Sequence, residues 1–311
     1  MSTVILFVEM RKIENITNSV HISWTITSYC NFSCRYCPPE FHVKDGKIPD
    51  LAQLKKIYYK LSSHLNKNDN VIMWFVGGEP SRVPDLIDFC KFLSEQNDRY
   101  FKIGLNTNGS ASYDYYDNLL KYVHEIGFSM HFAFIKHKPY LKKLVKLTKK
   151  HRNKVHFCVM YDTKYEEEVK YSIDILRKHK IRSNLLILTG GEDWGTYTEE
   201  QFSYMNKFST NDPFKTLLLD GEPYSDFEFK NLLEGDKNRF KNWKCFVPSE
   251  HLFIRNNKLY AGVCRKEFLG ELLSDKDTIK KSFTICDGRP CNCTADLRSS
   301  KYAPNEISIS N

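Results

Sequence analysis

The chain has 311 residues, 41% of them hydrophobic and 27% charged, a balance that fits a folded, enzyme-sized protein and excludes a mostly disordered one. The formal net charge of +8 is scattered along helical stretches such as YLKKLVKLTKKHRNK, which reads as a solvated face, so no nucleic-acid partner is expected. No run approaches the ~18 to 20 apolar residues of a membrane span, and VILFV at the N-terminus is too short for a signal peptide; a cytoplasmic protein with no membrane attachment is expected.

From Val20 to about Phe208, short β-branched or aromatic runs alternate with longer amphipathic stretches. Strands are expected at HISWTIT, VIMWFV, FKIGLN, FSMHFAF, KVHFCVMY and NLLIL, near residues 21, 71, 101, 128, 154 and 184. Helices are expected over Asp50 to Leu65, Val83 to Glu95, Tyr113 to Ile126, Tyr140 to Arg152 and Tyr165 to His179, with a last one in YTEEQFSYMNKF behind Thr198 as N-cap. Six strand-helix units in succession imply a parallel sheet, because parallel neighbours need long crossovers. After about Asn211 the pattern changes: NDPFKTLLLDGEPYSDFEF reads as loop or short strands, and HLFIRNNKLYAGV as a hairpin turning at Asn-Asn. The expected units are an N-terminal extension (1–20), a barrel (21–210) and a cysteine-bearing unit (211–311).

Ten cysteines in a reducing compartment point to metal ligands or catalytic groups before disulfides. Cys90 in LIDFCKFL and Cys158 in VHFCVMYD have apolar neighbours and are expected as small core residues. The others form two sets. Cys30, Cys34 and Cys37 make a C-x3-C-x2-C directly after the first strand, in a loop of the kind that builds the active site of an α/β barrel. Such thiolates suit an iron-sulfur cluster, usually held by four cysteines. Three leave one iron open, where a small molecule can bind. A zinc site with its fourth ligand elsewhere is the alternative.

FVGGEPSRVP follows the second strand. Gly77 and Gly78 allow close backbone approach to a ligand, and the carbonyls and the Glu79 carboxylate can accept from an ammonium group; a plain strand-to-helix turn is the alternative. LNTNGS follows the third strand with short amides and a hydroxyl, which also suit a routine turn.

The triplet with an aromatic residue, Tyr36, before its last cysteine, followed in order by GGEP and TNG, resembles the radical S-adenosylmethionine (SAM) superfamily. The resemblance implies a partial (β/α)6 TIM-type barrel within an α/β fold, and a 4Fe-4S cluster on Cys30, Cys34 and Cys37 whose open iron is chelated by SAM. SAM contacts then fall to Tyr36, Gly77, Gly78, Glu79, Pro80, Asn106, Thr107, Asn108 and Ser129. The implied activity is reductive cleavage of SAM to a 5'-deoxyadenosyl radical that abstracts hydrogen from a substrate C–H bond, with an electron donor such as flavodoxin or ferredoxin. His131 shares Ser129's face of the expected strand and could touch SAM or substrate, or be a satisfied buried histidine. Asp162, Glu192, Asp193 and Trp194 lie on the expected rim, where substrate contact and ordinary loop polarity both remain open.

The second set, Cys245, Cys264, Cys286, Cys291 and Cys293, resembles the C-terminal extensions called SPASM and twitch, which carry auxiliary iron-sulfur clusters. Five cysteines suit the single-cluster twitch type better than full SPASM, and because one 4Fe-4S cluster takes at most four thiolates, one would be spare. The C-x-C of Cys291 and Cys293 departs from the C-x2-C common in twitch, which leaves the ligand choice open; a structural zinc knot is the alternative. An electron-accepting auxiliary cluster implies oxidation or cross-linking, whereas a hydrogen-donating cysteine implies epimerisation. Maturation of a peptide or protein is the expected task, with a small molecule or sugar derivative as the rival substrate. Only 29 residues precede Cys30, so no domain-sized leader-binding module is expected ahead of it. A non-catalytic iron-sulfur or zinc-binding protein is the remaining reading, and the intact triplet and GGEP speak against it.

Overall fold

The protein is described by a computed structural model covering residues 12–15, 19–67, 69–96, 101–188, 197–208, 217–219, 222–223, 239–291, 296–297 and 299–304. After a short first strand, β1 (Lys12–Asn15), come six strands in parallel: β2 (Ser19–Thr27), β3 (Asn70–Gly77), β4 (Phe101–Thr107), β5 (Glu125–Met130), β6 (Val155–Met160) and β7 (Ser183–Leu186). Helices α1 (Leu51–His64), α2 (Leu86–Ser94), α3 (Tyr113–Leu119), α4 (His137–Lys150) and α5 (Glu166–Lys178) fill the five crossovers, and α6 (Glu199–Phe208) follows β7. The expected α/β fold with a parallel sheet is therefore present.

Alternation along each strand decides which side chains meet the helices. In β2 the even positions Ile22, Trp24 and Ile26 are buried in the main core, and Trp24 packs on Phe75 of β3 and Phe89 of α2 at 5.7 and 5.5 Å. His21, Ser23 and Thr25 consequently turn to the other, concave face. Each helix supplies the matching stripe: α1 buries Leu54, Ile57, Tyr58 and Leu61 at helical spacing, behind a capping box formed by Asp50 and Gln53.

Three elements differ from the sequence expectation. Pro84 keeps Val83 extended, so the expected helix from Val83 becomes a 3-10 turn (Pro80–Arg82) and then α2. Helix α3 stops at Leu119, and β5 begins at Glu125, three residues early, because its register on β4 places Phe128 beside Thr107. There Phe128 fits between Tyr116 and Phe157. His131 thus lies just past the strand. Cys90 is in the core as expected; Cys158, also buried, alternates with the core residues Phe157 and Val159 and faces the concave side, paired with Ser129 across β5 and β6.

The C-terminal segment joins the barrel sheet. Strands β8 (Leu217–Leu219), β9 (Glu222–Pro223) and β10 (Lys244–Cys245) precede β11 (His251–Arg255), which pairs in parallel with β2; β12 (Lys258–Ala261) and β13 (Glu267–Glu271) continue antiparallel. The β11–β12 turn uses Asn256 and Asn257, both at positive φ (49° and 61°), as a two-residue hairpin turn requires. The nine-stranded order is β13-β12-β11-β2-β3-β4-β5-β6-β7. With β14 (Thr284–Ile285) and β15 (Lys301–Tyr302), a second sheet runs β14-β10-β15-β1-β8-β9. Among the described residues no helix is long and apolar enough to cross a membrane.

Candidate functional site

Strand β2 ends at Thr27 and the chain enters the loop that carries Cys30, Cys34 and Cys37. Cys30 and Cys34 are buried and Cys37 is partly covered. The Cys37 amide donates to the Cys34 carbonyl at 3.0 Å, a turn that brings the last two thiols together. Lys44 Nζ donates to the carbonyls of Cys30 (3.2 Å) and Phe32 (3.5 Å), pinning the loop from its far side. Burial pushes the Cys34 thiol up to about 12 and the Cys37 thiol up to about 11, with neighbouring cysteines adding to both, and raises Cys30 as well. Such thiols ionise when a cation takes their protons' place. A cluster takes its thiolates on separate irons, and three thiols carried on one short loop suit that donor set.

Four loops close around this triplet. The Gly78 amide donates to Thr27 O and the Glu79 amide to Tyr29 O, both at 2.8 Å, so the loop after β3 lies directly on the cysteine loop. The approach demands glycine: a Cβ on Gly78 would sit 2.0 Å from Tyr29 O. Glu79, 1% exposed, accepts from Thr107 Oγ1 at 2.6 Å, the Asn108 amide at 2.6 Å and the Ser81 amide at 2.9 Å. Its carboxylate thereby fastens GGEP to the NTNG segment, and desolvation raises its pKa. Asn108 Nδ2 donates to Asn31 Oδ1 at 3.0 Å and lies 3.9 Å from Cys30 Sγ. Tyr140 of α4 donates to the carbonyls of Asn108 (3.1 Å) and Ser129 (3.4 Å), tying the third loop to the end of β5.

His131 completes the ring. Its Nδ1 meets Tyr36 OH at 2.5 Å and lies 3.5 Å from Cys34 Sγ, and burial lowers its pKa to about 4. A neutral imidazole is thus held against the cysteine loop, although the residue is off the strand where sequence pattern put it. On the concave face below, Thr25 Oγ1 and Asn106 Oδ1 are buried without hydrogen-bond partners, a cost that a polar ligand would remove. Pro80 is buried in the turn after Glu79. Asp162 caps the 3-10 turn after β6 by accepting from the Lys164 amide and binds Arg35 of the cysteine loop at 3.3 Å, so it anchors that loop. Glu192, Asp193 and Trp194 lie outside the described residues.

The late cysteines gather through sheet pairing. Cys245 on β10 pairs with Thr284 of β14, and the Cys286 amide just beyond donates to Trp243 O at 2.9 Å. Burial leads in pushing the Cys264 thiol up to about 12, with Cys245 and Cys286 close enough to add to it, and Cys286 likewise adds to the rise that burial gives Cys245. Cys286 and Cys291 pack on a small cluster of Ile13, Phe240 and Leu297; Cys293 lies outside the described residues. Three residues absent from the sequence-based site surround this set. Asp296 accepts from the Cys264 amide (2.7 Å), the Val263 amide (3.0 Å) and His251 Nδ1 (2.6 Å), while His251 Nε2 meets Ser23 Oγ at 2.9 Å. The buried Lys301 Nζ donates to the carbonyls of Leu297 and Ser299 at 3.2 and 2.9 Å. No local motif marks these residues; His251 meets Asp296 across 45 positions of sequence and Ser23 across 228.

The fold and site define an α/β protein with a partial barrel of parallel strands and a three-cysteine loop after its first barrel strand. The sequence profile of the radical SAM superfamily matches residues 24–199, and the chain belongs to that superfamily. GTP 3',8-cyclase of Pasteurella multocida is 29% identical over 89 residues, 29% of this chain and 26% of the relative. A protein of Methanocaldococcus jannaschii provisionally named a glycyl-radical enzyme activating enzyme is 29% identical over 171 residues, 55% of this chain and 60% of the relative. The chain thus spans about a quarter and three fifths of the curated relatives it matches. Among solved structures, anSMEcpe with bound AdoMet aligns at TM-score 0.54 and 15% identity, covering 82% of this chain and 78% of that one. SuiB of Streptococcus suis bound to S-adenosylmethionine aligns at TM-score 0.52 and 14% identity, covering 83% and 64%. At such identity the likeness is one of fold. SAM and a 4Fe-4S cluster are the cofactors that membership in the superfamily carries.

Proposed function

We propose that this protein is a radical SAM enzyme that modifies a peptide or protein at an unactivated C–H bond. The observation that carries the reading is the ring of loops: the cysteine loop, GGEP, NTNG, the end of β5 and His131 are hydrogen-bonded to one another around three thiols. Cys30, Cys34 and Cys37 would hold the 4Fe-4S cluster, and Tyr36, Gly77, Gly78, Glu79, Pro80, Asn106, Thr107, Asn108 and Ser129 would border SAM. The cluster would supply the electron for reductive cleavage of SAM to methionine and a 5'-deoxyadenosyl radical, the species that would take a hydrogen atom from the substrate.

The chain's own residues supply position and exclusion. Glu79 spends its oxygens on Thr107, Asn108 and Ser81 and so sets the distance between two SAM-facing loops. Thr25 and Asn106 offer unpaired polar atoms to a ligand on the concave face. Phe32, buried with Cys30 and Cys34 and stacked on Phe134 at 4.9 Å, covers the cysteine loop.

We assign residues 21–210 to the barrel unit and 211–311 to a unit in which up to four of Cys245, Cys264, Cys286, Cys291 and Cys293 would hold an auxiliary 4Fe-4S cluster. An electron acceptor there favours oxidation or cross-linking of the substrate. The peptide assignment draws support from anSMEcpe, solved with a Kp18Cys peptide, and from SuiB, solved with the precursor peptide SuiA. A cytoplasmic location and a flavodoxin- or ferredoxin-type electron donor accompany the proposal. The test is anaerobic reconstitution with iron and sulfide, followed by dithionite and SAM: wild type is expected to release 5'-deoxyadenosine and Cys34→Ala none. An iron-replete wild type as silent as Cys34→Ala would sink the reading.

A further inference from the structure

A cavity of about 310 Å³ lies beside the cysteine loop, lined by Glu40, Arg255, Asn256, Lys258, Tyr260 and Arg265. That volume is at the lower end of ligand sites, enough for one side chain or a small acid. Alternation places the cavity on the concave face. Ile254 and Leu259 belong to the main core on the helix side, so Arg255, Lys258 and Tyr260 project oppositely. Arg255 pairs in register with Thr25 of β2, the residue whose hydroxyl is buried without a partner. The cavity therefore continues the face that carries Ser23 and Thr25 and opens next to Glu40, three residues after Cys37.

Its charge is unbalanced. Arg255, Lys258 and Arg265 bring three cations and Glu40 one carboxylate; Glu271 reaches Lys258 from outside at 3.8 Å, an exposed pair of little strength. Arg255 is half committed: Nη1 donates to Glu40 Oε1 at 3.3 Å and the guanidinium lies 4.8 Å over the Phe41 ring, while Nε is buried with no partner. A guanidinium fixed in plane with donors unspent is prepared for a carboxylate. Glu40 inside the cavity penalises a dianion more than a monoanion, which favours a carboxylate over a phosphate ester.

We propose that this cavity binds an acidic side chain of a peptide substrate, seating a Glu or Asp at the edge of the barrel mouth while a neighbouring residue enters the concave face. The inference rests on the peptide reading above and adds a sequence requirement to it. Fluorescence anisotropy of the reconstituted full chain with labelled hexaglutamate and hexaglutamine tests it, with inorganic phosphate as competitor. Hexaglutamate is expected to bind more tightly than hexaglutamine, and loss of one charge-assisted contact in Arg255→Gln or Arg265→Gln to weaken it by about tenfold. Arg255→Gln also releases Glu40 beside the cysteine loop, so the substitutions at the exposed Arg265 and Lys258, Arg265→Gln and Lys258→Gln, carry the test by themselves. Lys142→Gln, on the basic outer face of α4, is the control and should bind as wild type does.

Equal binding of the two peptides, or weakening by Lys142→Gln and none by Arg265→Gln or Lys258→Gln, overturns the proposal, as does tight phosphate binding that displaces hexaglutamate. A wild type that forms 5'-deoxyadenosine yet shows no preference for hexaglutamate overturns this cavity's role alone. An intact preference in an iron-replete protein that never cleaves SAM overturns the enzymatic reading and leaves an acid-binding site.

Discussion

Replacing Glu79 by glutamine tests whether the loops around the three thiols are held by its carboxylate. The side chain is 1% exposed and accepts three hydrogen bonds, Oε1 from Thr107 and Ser81 and Oε2 from Asn108. Glutamine keeps the shape but has one acceptor oxygen. Its best orientation aims that oxygen at Thr107 and Ser81 and sets its NH2 against the Asn108 amide, so one charge-assisted bond is lost and two donors face each other. The expected cost is about 2 to 4 kcal/mol. Thr107→Val removes the hydroxyl that meets Glu79, Tyr116 OH and the Gly109 amide and should cost about 1 to 3 kcal/mol. Both act on one contact, so the double variant should fall short of additivity by about 1 to 2 kcal/mol. Urea unfolding of the apo-protein under anaerobic reducing conditions, followed by circular dichroism, reads all three. A Glu79→Gln variant within about 0.5 kcal/mol of wild type, or a strictly additive pair, refutes the reasoning.

Other outcomes follow from the same contacts. Gly78→Ala places a methyl group against backbone, 2.0 Å from Tyr29 O, and is expected to give protein that fails to assemble iron on the triplet; normal iron content would contradict the close approach. Burial lowers His131 and His64 to about 4 from 6.5. The unfolded chain then binds protons first as pH falls, so apo-protein stability should drop between about pH 6.5 and 4 by up to about 1.4 kcal/mol per pH unit for each histidine. His64→Gln should flatten that slope, and an unchanged pH profile would count against its burial as a neutral ring. With Cys30, Cys34 and Cys37 all replaced by alanine, about four irons should remain if the late cysteines hold a cluster; one zinc and no iron would reject it.

The parts of the site that were legible in the sequence are those written in consecutive residues. C-x3-C-x2-C, GGEP and NTNG each fall in one loop, and strand-helix alternation gave the parallel sheet because hydrophobic period is a local property. Pairings between distant segments were not legible. Nothing in HLFIR marks it as a parallel neighbour of β2, some 230 residues earlier, since register is set by packing of the whole sheet. For the same reason the sequence offers Glu79 as an acceptor but does not show the bonds from Thr107 and Asn108 that the fold gives it. His131 was placed on a strand face, and its contact with Tyr36 and Cys34 arises only because β5 ends at Met130. Cys158 sat among apolar letters that fit either face of β6, and the sheet alone decides that it faces Ser129. Arg255, His251 and Asp296 carry no motif and acquire roles through partners at sequence separations of 215, 228 and 45.

The most direct test of the central claim is electron paramagnetic resonance of the dithionite-reduced protein with Cys245, Cys264, Cys286, Cys291 and Cys293 replaced by alanine, recorded with and without SAM. A single cluster on Cys30, Cys34 and Cys37 with an open iron predicts a reduced-cluster signal that SAM changes in shape and position. A signal indifferent to saturating SAM, or no cluster signal from protein that retains its fold, would contradict the account.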